Sequence, residues 1–231
     1  MEALGLEVLA RLELSGDETV LDAGCGSGRI TQALIERLPR GHVIALDASQ
    51  SMVEAARERL SGADVRQGDL LQLEVEQPVD AILSTATFHW VLDHELLFQR
   101  LRKALKPGGR LVAQCGGEGN IDVLRGHANE VLVREPYAEH FRGFRPPWNY
   151  AGPEQTRERL LAAGFQRAEC WLQPAPKQPE EPREFLSTIV LGPHYQHLPP
   201  ELREAFMDDV LAELGEPVVV DYVRLNIDAV A

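Results

Sequence analysis

Thr19-Val20-Leu21-Asp22-Ala23-Gly24-Cys25-Gly26-Ser27-Gly28 is the stretch on which the reading of the fold turns. Residues 19–23 form a short apolar run with β-branched members, the pattern of a buried strand. Glycines at 24, 26 and 28 let the backbone turn sharply and come close to a ligand. Residues 28–38 (GRITQALIERL) then carry Ile30, Ala33, Leu34 and Leu38 at helical spacing, with Ser27 placed as N-cap. A strand, a glycine loop and a helix in this order aim the helix's free N–H groups at whatever the loop holds. Two nucleotide motifs fail here. GxGxxG begun at Gly24 needs glycine where Arg29 stands, and no GxxxxGK[ST] run occurs. Asp22 would repel a pyrophosphate and suits a ligand with an ammonium group.

Outward from this stretch, strands alternate with helical patterns. His42–Asp47 (HVIALD) reads as strand two, and residues 51–60 as a helix with Ser51 and Glu54 as a capping box. Val65–Asp69 and Val79–Ser84 read as strands three and four. A helix over 94–105 is stopped by Pro107-Gly108-Gly109 ahead of strand five, Arg110–Cys115. Thr156–Ala163 is a further helix ended by Gly164, Ala168–Leu172 a sixth strand, and Val218–Ala229 a long seventh. Such alternation predicts an α/β fold around a parallel sheet. It also places Asp22, Asp47 and Asp69 at the C-terminal ends of three successive strands, the edge where open α/β sheets bind ligands. Asp47 is positioned to accept both hydroxyls of a ribose, Met52 to pack on a purine, and Asp69 to accept from an exocyclic amine. Each acid alone reads as a solvated loop charge; together they describe an adenosyl site.

Five pieces, VLDAGCGSG (20–28), ALDAS (45–49) with Met52, QGD (67–69), VDAILS (79–84) and LKPGGRL (105–111), carry a family likeness. The chain resembles the class I S-adenosylmethionine-dependent methyltransferases over roughly residues 18–117. The resemblance implies a Rossmann-like, doubly wound sheet of seven strands with the last antiparallel. It implies that Asp22 and the loop residues Gly24, Cys25 and Gly26 hold the methionyl part of S-adenosyl-L-methionine. Asp47 with Ala48 would hold the ribose, and Gly68 and Asp69 the adenine amine. The backbone around Leu70, Ser84 and Thr85 would complete the pocket, with S-adenosyl-L-homocysteine as product. It also raises the expectation of a covering segment ahead of strand one, often with an aromatic residue; residues 1–18 are acidic and amphipathic, and nothing aromatic precedes Asp22.

The composition narrows the partners. The chain has 231 residues, 44% hydrophobic and 26% charged, ordinary for a globular protein. Its 23 basic and 36 acidic residues give a formal charge of -13, which argues against nucleic acid or an anionic membrane as partner. Small molecules remain. Cys25, Cys115 and Cys170 form no CxxC pair, which argues against a disulfide framework or a zinc ribbon. With no apolar run of spanning length and no cationic leader, a cytoplasmic protein is expected; its oligomeric state is not readable.

All 14 aromatic residues lie at position 88 or later, so a regular scaffold precedes a segment suited to covering a pocket. The expected organisation is a cofactor-binding half (1–117), a cap insertion (118–152), a core helix and strand (153–172), a helical cap insertion (173–217) and the terminal antiparallel strand (218–231). In the second insertion Phe185, Leu186, Ile189 and Val190 share one helix face, and Leu202, Phe206, Val210 and Leu214 another. His194 and His197 have metal-ligand spacing without a third ligand, so no metal is expected.

Within the family, Ser84-Thr85-Ala86-Thr87-Phe88-His89-Trp90-Val91 looks like the segment after strand four in trans-aconitate methyltransferases, which esterify a small organic acid. His89 is the candidate catalytic residue, orienting the acceptor or receiving its proton; a hydrogen-bonded scaffold role is the plainer alternative. Trp90, Arg145, Trp148 and Tyr150 are candidates for acceptor binding, with Arg134 and Arg142 as further cations. An ionised carboxylate acceptor needs no general base, whereas a hydroxyl or carbon acceptor usually does. The expected function is O-methylation of a carboxylate of a small acid. Methylation of a hydroxyl or carbon, a carrier-protein carboxyl acceptor and non-catalytic adenosyl binding remain the alternatives.

Overall fold

A computed structural model describes residues 2–231. Their contacts divide the chain into two units. The first comprises residues up to Glu118, Asn149–Gln173 and Arg224–Ala231; the second, Gly119–Trp148 and Pro174–Val223.

The first unit opens with helix α1 (Glu2–Arg11) and continues through β1 (Thr19–Ala23), α2 (Arg29–Glu36), β2 (His42–Asp47), α3 (Gln50–Arg59) and β3 (Asp64–Gln67). It proceeds through β4 (Val79–Thr85), α4 (His94–Ala104) and β5 (Leu105–Gly116). The strands lie in the order β3-β2-β1-β4-β5-β7-β6, with β6 at Arg167–Pro174 and β7 at Val223–Val230. Pairings among β1 to β5 are parallel, and β7 runs antiparallel to β5, with Arg224 opposite Gly116 and Asn226 opposite Gln114. The fold is thus the α/β, doubly wound seven-stranded sheet with a reversed last strand. From β1 the chain winds outward to β3 and returns to β4, so the topological switch lies between β1 and β4, where a crevice opens at the strands' C-terminal ends.

Two cores hold this sheet. One face packs Leu21, Ile82, Phe88, Leu97, Phe98, Leu101, Leu111 and Ile227, the other Val8, Leu12, Val20, Leu34, Leu83 and Val112, all essentially inaccessible. Helix α1 contributes Val8 and Leu9 to the second, and Leu12 follows just after it, which ties this segment to the β1–β4 scaffold.

Several local expectations need correction. Ser27 is not the N-cap of α2; Gly28 takes that position with φ 80° and ψ 14°, and no side chain caps the helix. The Ser51–Glu54 box does not form, because α3 starts one residue earlier from Ser49, and Glu54 accepts from Gln50 Nε2 at 2.9 Å instead. Pro107-Gly108-Gly109 lies inside β5 rather than before it, accommodated by a register shift against β4 between Val79 and Ala81. Strand seven starts at Val223, not Val218; Val220 makes an isolated bridge with Lys177 in the second unit.

The second unit contains α5 (Asp122–Leu132), the short helices α7 (Pro182–Phe185) and α8 (Gly192–Tyr195), and α9 (Pro200–Leu214); α6 (Pro153–Ala162) belongs to the first. On α9 the buried stripe is Phe206, Met207 and Val210, so Leu202 and Leu214 lie at its edge. Leu186 and Val190 are buried as read, whereas Ile189 is exposed, because residues 186–190 wind as a wider π turn. No helix among the described residues is long and apolar enough to cross a membrane.

Candidate functional site

Asp22 ends β1 beneath the glycine loop, only 1% exposed. Its Oδ2 accepts from Thr31 Oγ1 at 2.7 Å, while Oδ1 is buried without a hydrogen-bond partner. Burial pushes its carboxyl up to about 6 against the Thr31 hydrogen bond, with the nearby Asp47 charge adding to the rise. A buried carboxylate oxygen lacking a donor is costly, and a bound ammonium group would relieve it.

Above it, Gly24 and Cys25 both donate to Leu46 O, at 2.8 and 3.0 Å. Gly24, Gly26 and Gly28 all have positive φ (87°, 53° and 80°). The reasons differ. A Cβ on Gly24 would sit 2.1 Å from Thr87 Oγ1, whereas one on Gly26 would meet nothing within 4 Å. Gly24 is therefore demanded by packing, and Gly26 borders open space where a ligand can approach the backbone. Burial and the charges of Asp22 and Asp47 push the Cys25 thiol up to about 12, so it offers no thiolate.

Asp47 ends β2, its Oδ2 accepting from Gly26 N at 2.8 Å and Oδ1 from Ser49 N at 2.9 Å. Each oxygen keeps a lone pair for a further donor. Ala48 and Met52 beside it are exposed, Met52 by 42%. Asp69, also exposed, caps a short 3-10 turn over Leu70–Gln72 by accepting from Leu71 N at 2.9 Å. Gly68 N donates to Asp47 O at 3.0 Å, which links the two acid-bearing strand ends. On β4, Ser84 is buried and donates to Ala23 O at 2.6 Å, so its hydroxyl braces the scaffold. The next residues are strained: Ala86, a non-glycine residue, has φ 57°, and Thr87 Oγ1 reaches Gly24 O and Thr85 O at 3.2 and 3.0 Å. Asp22, Gly24, Asp47 and Thr85 are thus gathered around the switch point. Their donor and acceptor set fits an adenosyl amino acid.

His89 lies in the turn after β4, 8% exposed. Its Nδ1 accepts from Gly116 N at 3.2 Å, and its carbonyl accepts from Asn149 N at 2.7 Å. Its ring lies 5.1 Å from that of Trp90 and 5.8 Å from that of Tyr150. Burial, then the positive charge of Arg224, and then His94 push its protonation down to about 3. The ring is neutral with its proton on Nε2, because Nδ1 is occupied as an acceptor. In that state Nε2 is a donor; receiving a proton there would need the tautomer that sets Nδ1–H against Gly116 N–H, and would end in a cation that burial disfavours.

The other acceptor candidates are dispersed. Trp90 is 48% exposed, and Tyr150 is half-buried beside His89. Arg145 and Trp148 belong to the second unit, where Arg145 is exposed and Trp148 lies 6.1 Å from His194. Arg142 is exposed there too, and Arg134 pairs with Glu213 at 2.6 Å. The cation that sequence reasoning missed is Arg224, on β7 and 4% exposed. The signal was present: in VRLNIDAV, Arg224, Asn226 and Asp228 alternate with apolar residues. A polar set on one face of a buried strand is costly unless it has partners or a task.

Residues 20–109 match the family model of a methyltransferase domain. A trans-aconitate 2-methyltransferase of Acidovorax ebreus (strain TPSY) is 39% identical over 221 residues, covering 91% of this chain and 83% of that protein. One from Mycobacterium tuberculosis (strain ATCC 25177 / H37Ra) is 37% identical over 168 residues, covering 71% and 62%. Among solved structures, the YcgJ protein of Bacillus subtilis superposes with a TM-score of 0.67 at 18% identity, covering 99% of this chain and 97% of that one. A Haemonchus contortus phosphoethanolamine methyltransferase, in complex with phosphomonomethylethanolamine and S-adenosylhomocysteine, does so with 0.62 at 21% identity, covering 99% and 52%. These structural likenesses establish the fold, and the sequence relatives establish the family. The chain belongs to the class I S-adenosylmethionine-dependent methyltransferases, in the trans-aconitate methyltransferase group.

Proposed function

We propose that this methyltransferase esterifies a carboxylate oxygen of a small organic acid. The observation that supports this reading is the placement of His89: buried after β4, with Nδ1 engaged as acceptor by Gly116 N. An alcohol or carbon acceptor usually gives its proton to a general base, and burial makes His89 a poor one. A carboxylate is already ionised near neutral pH and asks only for alignment and exclusion of water. Two sequence relatives are trans-aconitate 2-methyltransferases, named for a small organic acid as acceptor.

When bound, S-adenosyl-L-methionine supplies a methyl already activated by its sulfonium. Asp22 Oδ1 would accept from the ammonium of its amino-acid part, and the backbone at Gly24, Cys25 and Gly26 would take the rest of that moiety. The two Asp47 oxygens would accept from the ribose hydroxyls, with Ala48 and Met52 alongside. Gly68, Asp69 and Leu70 would border the base, and the backbone of Ser84 and Thr85 would close the pocket. His89, held by Gly116 and flanked by Trp90 and Tyr150, would donate from Nε2 to the acceptor and orient it.

The test is transfer itself. The protein is incubated with S-adenosyl-L-methionine and matched panels of small carboxylic acids, alcohols and amines, and the products are read by mass spectrometry. The expected products are methyl esters, returned to the parent acid by mild alkali. Methyl groups found on alcohols, carbons or amines, with the acids untouched, would overturn the reading.

A further inference from the structure

The turn that carries His89 is held unevenly. Its leading half is tied to the core. Phe88 is fully buried with its ring 6.1 Å from that of Phe98, and its carbonyl accepts from Nε2 of the buried His94 at 2.9 Å and from Val91 N at 2.9 Å. The trailing half lacks such burial: Trp90 is exposed, and Leu92 is 64% exposed. Asn149 reaches across to it. Its backbone N–H donates to His89 O at 2.7 Å, and its side-chain Nδ2 donates to Leu92 O at 3.1 Å. The same segment is anchored two residues on, where Ala151 is buried and its carbonyl accepts from Glu118 N at 3.0 Å. All these residues belong to the first unit.

We propose that Asn149 is a positioning residue for methyl transfer: its side-chain amide closes the turn, so that His89 Nε2 stays aimed at the acceptor. This rests on the reading of His89 as the group that orients the acceptor. The bond to Leu92 O is exposed, and water would satisfy that carbonyl as well, so the bond contributes little to folding. Its effect is on freedom. A carbonyl bonded to water lets residues 90–92 drift, whereas one bonded to Asn149 is tied through His89 O and Ala151 O to the end of β5. An activated methyl asks chiefly for alignment, and a displacement of about 1 Å at the reacting groups costs on the order of 100-fold in rate. Asparagine suits this place. His89 O and Leu92 O are both acceptors, and one residue with a backbone and a side-chain N–H spans them. An aspartate of the same shape would set an oxygen against an oxygen.

The rate of S-adenosyl-L-homocysteine formation is measured with the carboxylic acid that the wild type methylates fastest. The variants are Asn149→Ala, Asn149→Asp, Asn149→Gln, His89→Asn and the double variant Asn149→Ala/His89→Asn. Asn149→Ala and Asn149→Asp should lower kcat about tenfold or more, with melting temperature and S-adenosyl-L-homocysteine affinity close to wild type. Asn149→Gln keeps the amide donor on a longer stem and should recover part of the loss. In the double variant the losses should not multiply. With the Nε2 donor gone Asn149 has nothing left to aim, so its rate should lie within about threefold of His89→Asn. A second readout needs no acceptor: the Gly116 amide proton, bonded to His89 Nδ1, should shift in the NMR spectra of Asn149→Ala and Asn149→Asp and return toward wild type in Asn149→Gln. Wild-type kcat in Asn149→Ala, losses that multiply in the double variant, or an unmoved Gly116 amide would overturn the proposal. A melting temperature that falls together with the rate in both Asn149→Ala and Asn149→Asp would make Asn149 a structural residue and overturn it as well. A normal rate in His89→Asn would instead sink the reading of His89 on which the proposal rests. Should no carboxylic acid be methylated, the carboxylate reading fails and the Gly116 amide decides alone.

Discussion

Gly116 donates its backbone N–H to His89 Nδ1 across 3.2 Å, and that bond limits what the ring does. With protonation pushed down to about 3 by burial and by Arg224, the imidazole stays neutral across the working range of an enzyme. The kcat profile of the methyltransferase should therefore lack a limb near the ordinary histidine value. His89→Asn keeps an oxygen to accept from Gly116 but loses the Nε2 donor. Turnover should fall by about tenfold or more with the melting temperature and S-adenosyl-L-homocysteine affinity unchanged. His89→Ala should in addition lose about 1–3 kcal/mol of stability, from the buried Gly116 N–H left unsatisfied. A rise in kcat between pH 5.5 and 7.5 that disappears in His89→Asn would show that the ring titrates as a base.

Asp22 binds its proton more tightly in the folded state, about 6, than at its ordinary 3.8. A carboxyl raised in this way favours folding at acid pH and loses that contribution as pH climbs from about 4 to about 6, with the penalty constant above. Asp22→Asn removes the buried charge, so the unliganded variant should be about 2–3 kcal/mol more stable than wild type at pH 8. The advantage should shrink on going to pH 5. It should also bind S-adenosyl-L-homocysteine more weakly. Melting curves at the two pH values, each with and without ligand, check both effects; a variant less stable than wild type at pH 8 would refute the assignment of Asp22 as a destabilising charge.

The sheet was legible because its signals are local. TVLDA, HVIALD and VDAILS announce themselves by composition, and glycines at 24, 26 and 28 mark the positive φ angles that the loop adopts. What escaped depends on neighbours distant in sequence. Ser27 had the right chemistry for a cap, but Gly28, already left-handed, takes that place. Val218–Tyr222 is as apolar as a strand, and only pairing to β5 decides that β7 begins at Val223. His89 could be picked out by eye, yet its tautomer depends on the amide of Gly116, 27 residues further along. Arg224 was hidden in a run read for hydrophobicity alone, although its alternation with Asn226 and Asp228 was a readable sign of a polar face.

Asp47 accepts from Gly26 N and Ser49 N through separate oxygens, so it braces the glycine loop and keeps acceptor capacity for a ligand. Asp47→Ala should weaken S-adenosyl-L-homocysteine binding by about 1–3 kcal/mol, measured by titration calorimetry. Asp47→Asn keeps one acceptor oxygen and should lose less. Equal affinity in Asp47→Ala and wild type would remove this residue from the adenosyl site.

Gly24 and Gly26 separate the needs of the scaffold from those of the ligand. Both have positive φ, where an alanine costs roughly 1 kcal/mol or a little more. On Gly24 the added methyl would also be driven into Thr87, at 2.1 Å from Oγ1 and 2.3 Å from Cγ2. Thr87 is held in turn by its contacts with Gly24 O and Thr85 O, so it has little freedom to yield. Gly24→Ala should lose about 3 kcal/mol or more and melt far below wild type. On Gly26 the methyl meets nothing within 4 Å, and Gly26→Ala should fold with only the cost of its backbone angle. Its methyl would occupy the open space beside the loop, so S-adenosyl-L-homocysteine affinity should drop by about tenfold or more. Chemical denaturation gives the first quantity and calorimetry the second. Were Gly26→Ala to bind the adenosyl ligand as wild type does, the ligand would not approach the loop at Gly26, and the placement of its amino-acid part there would fall.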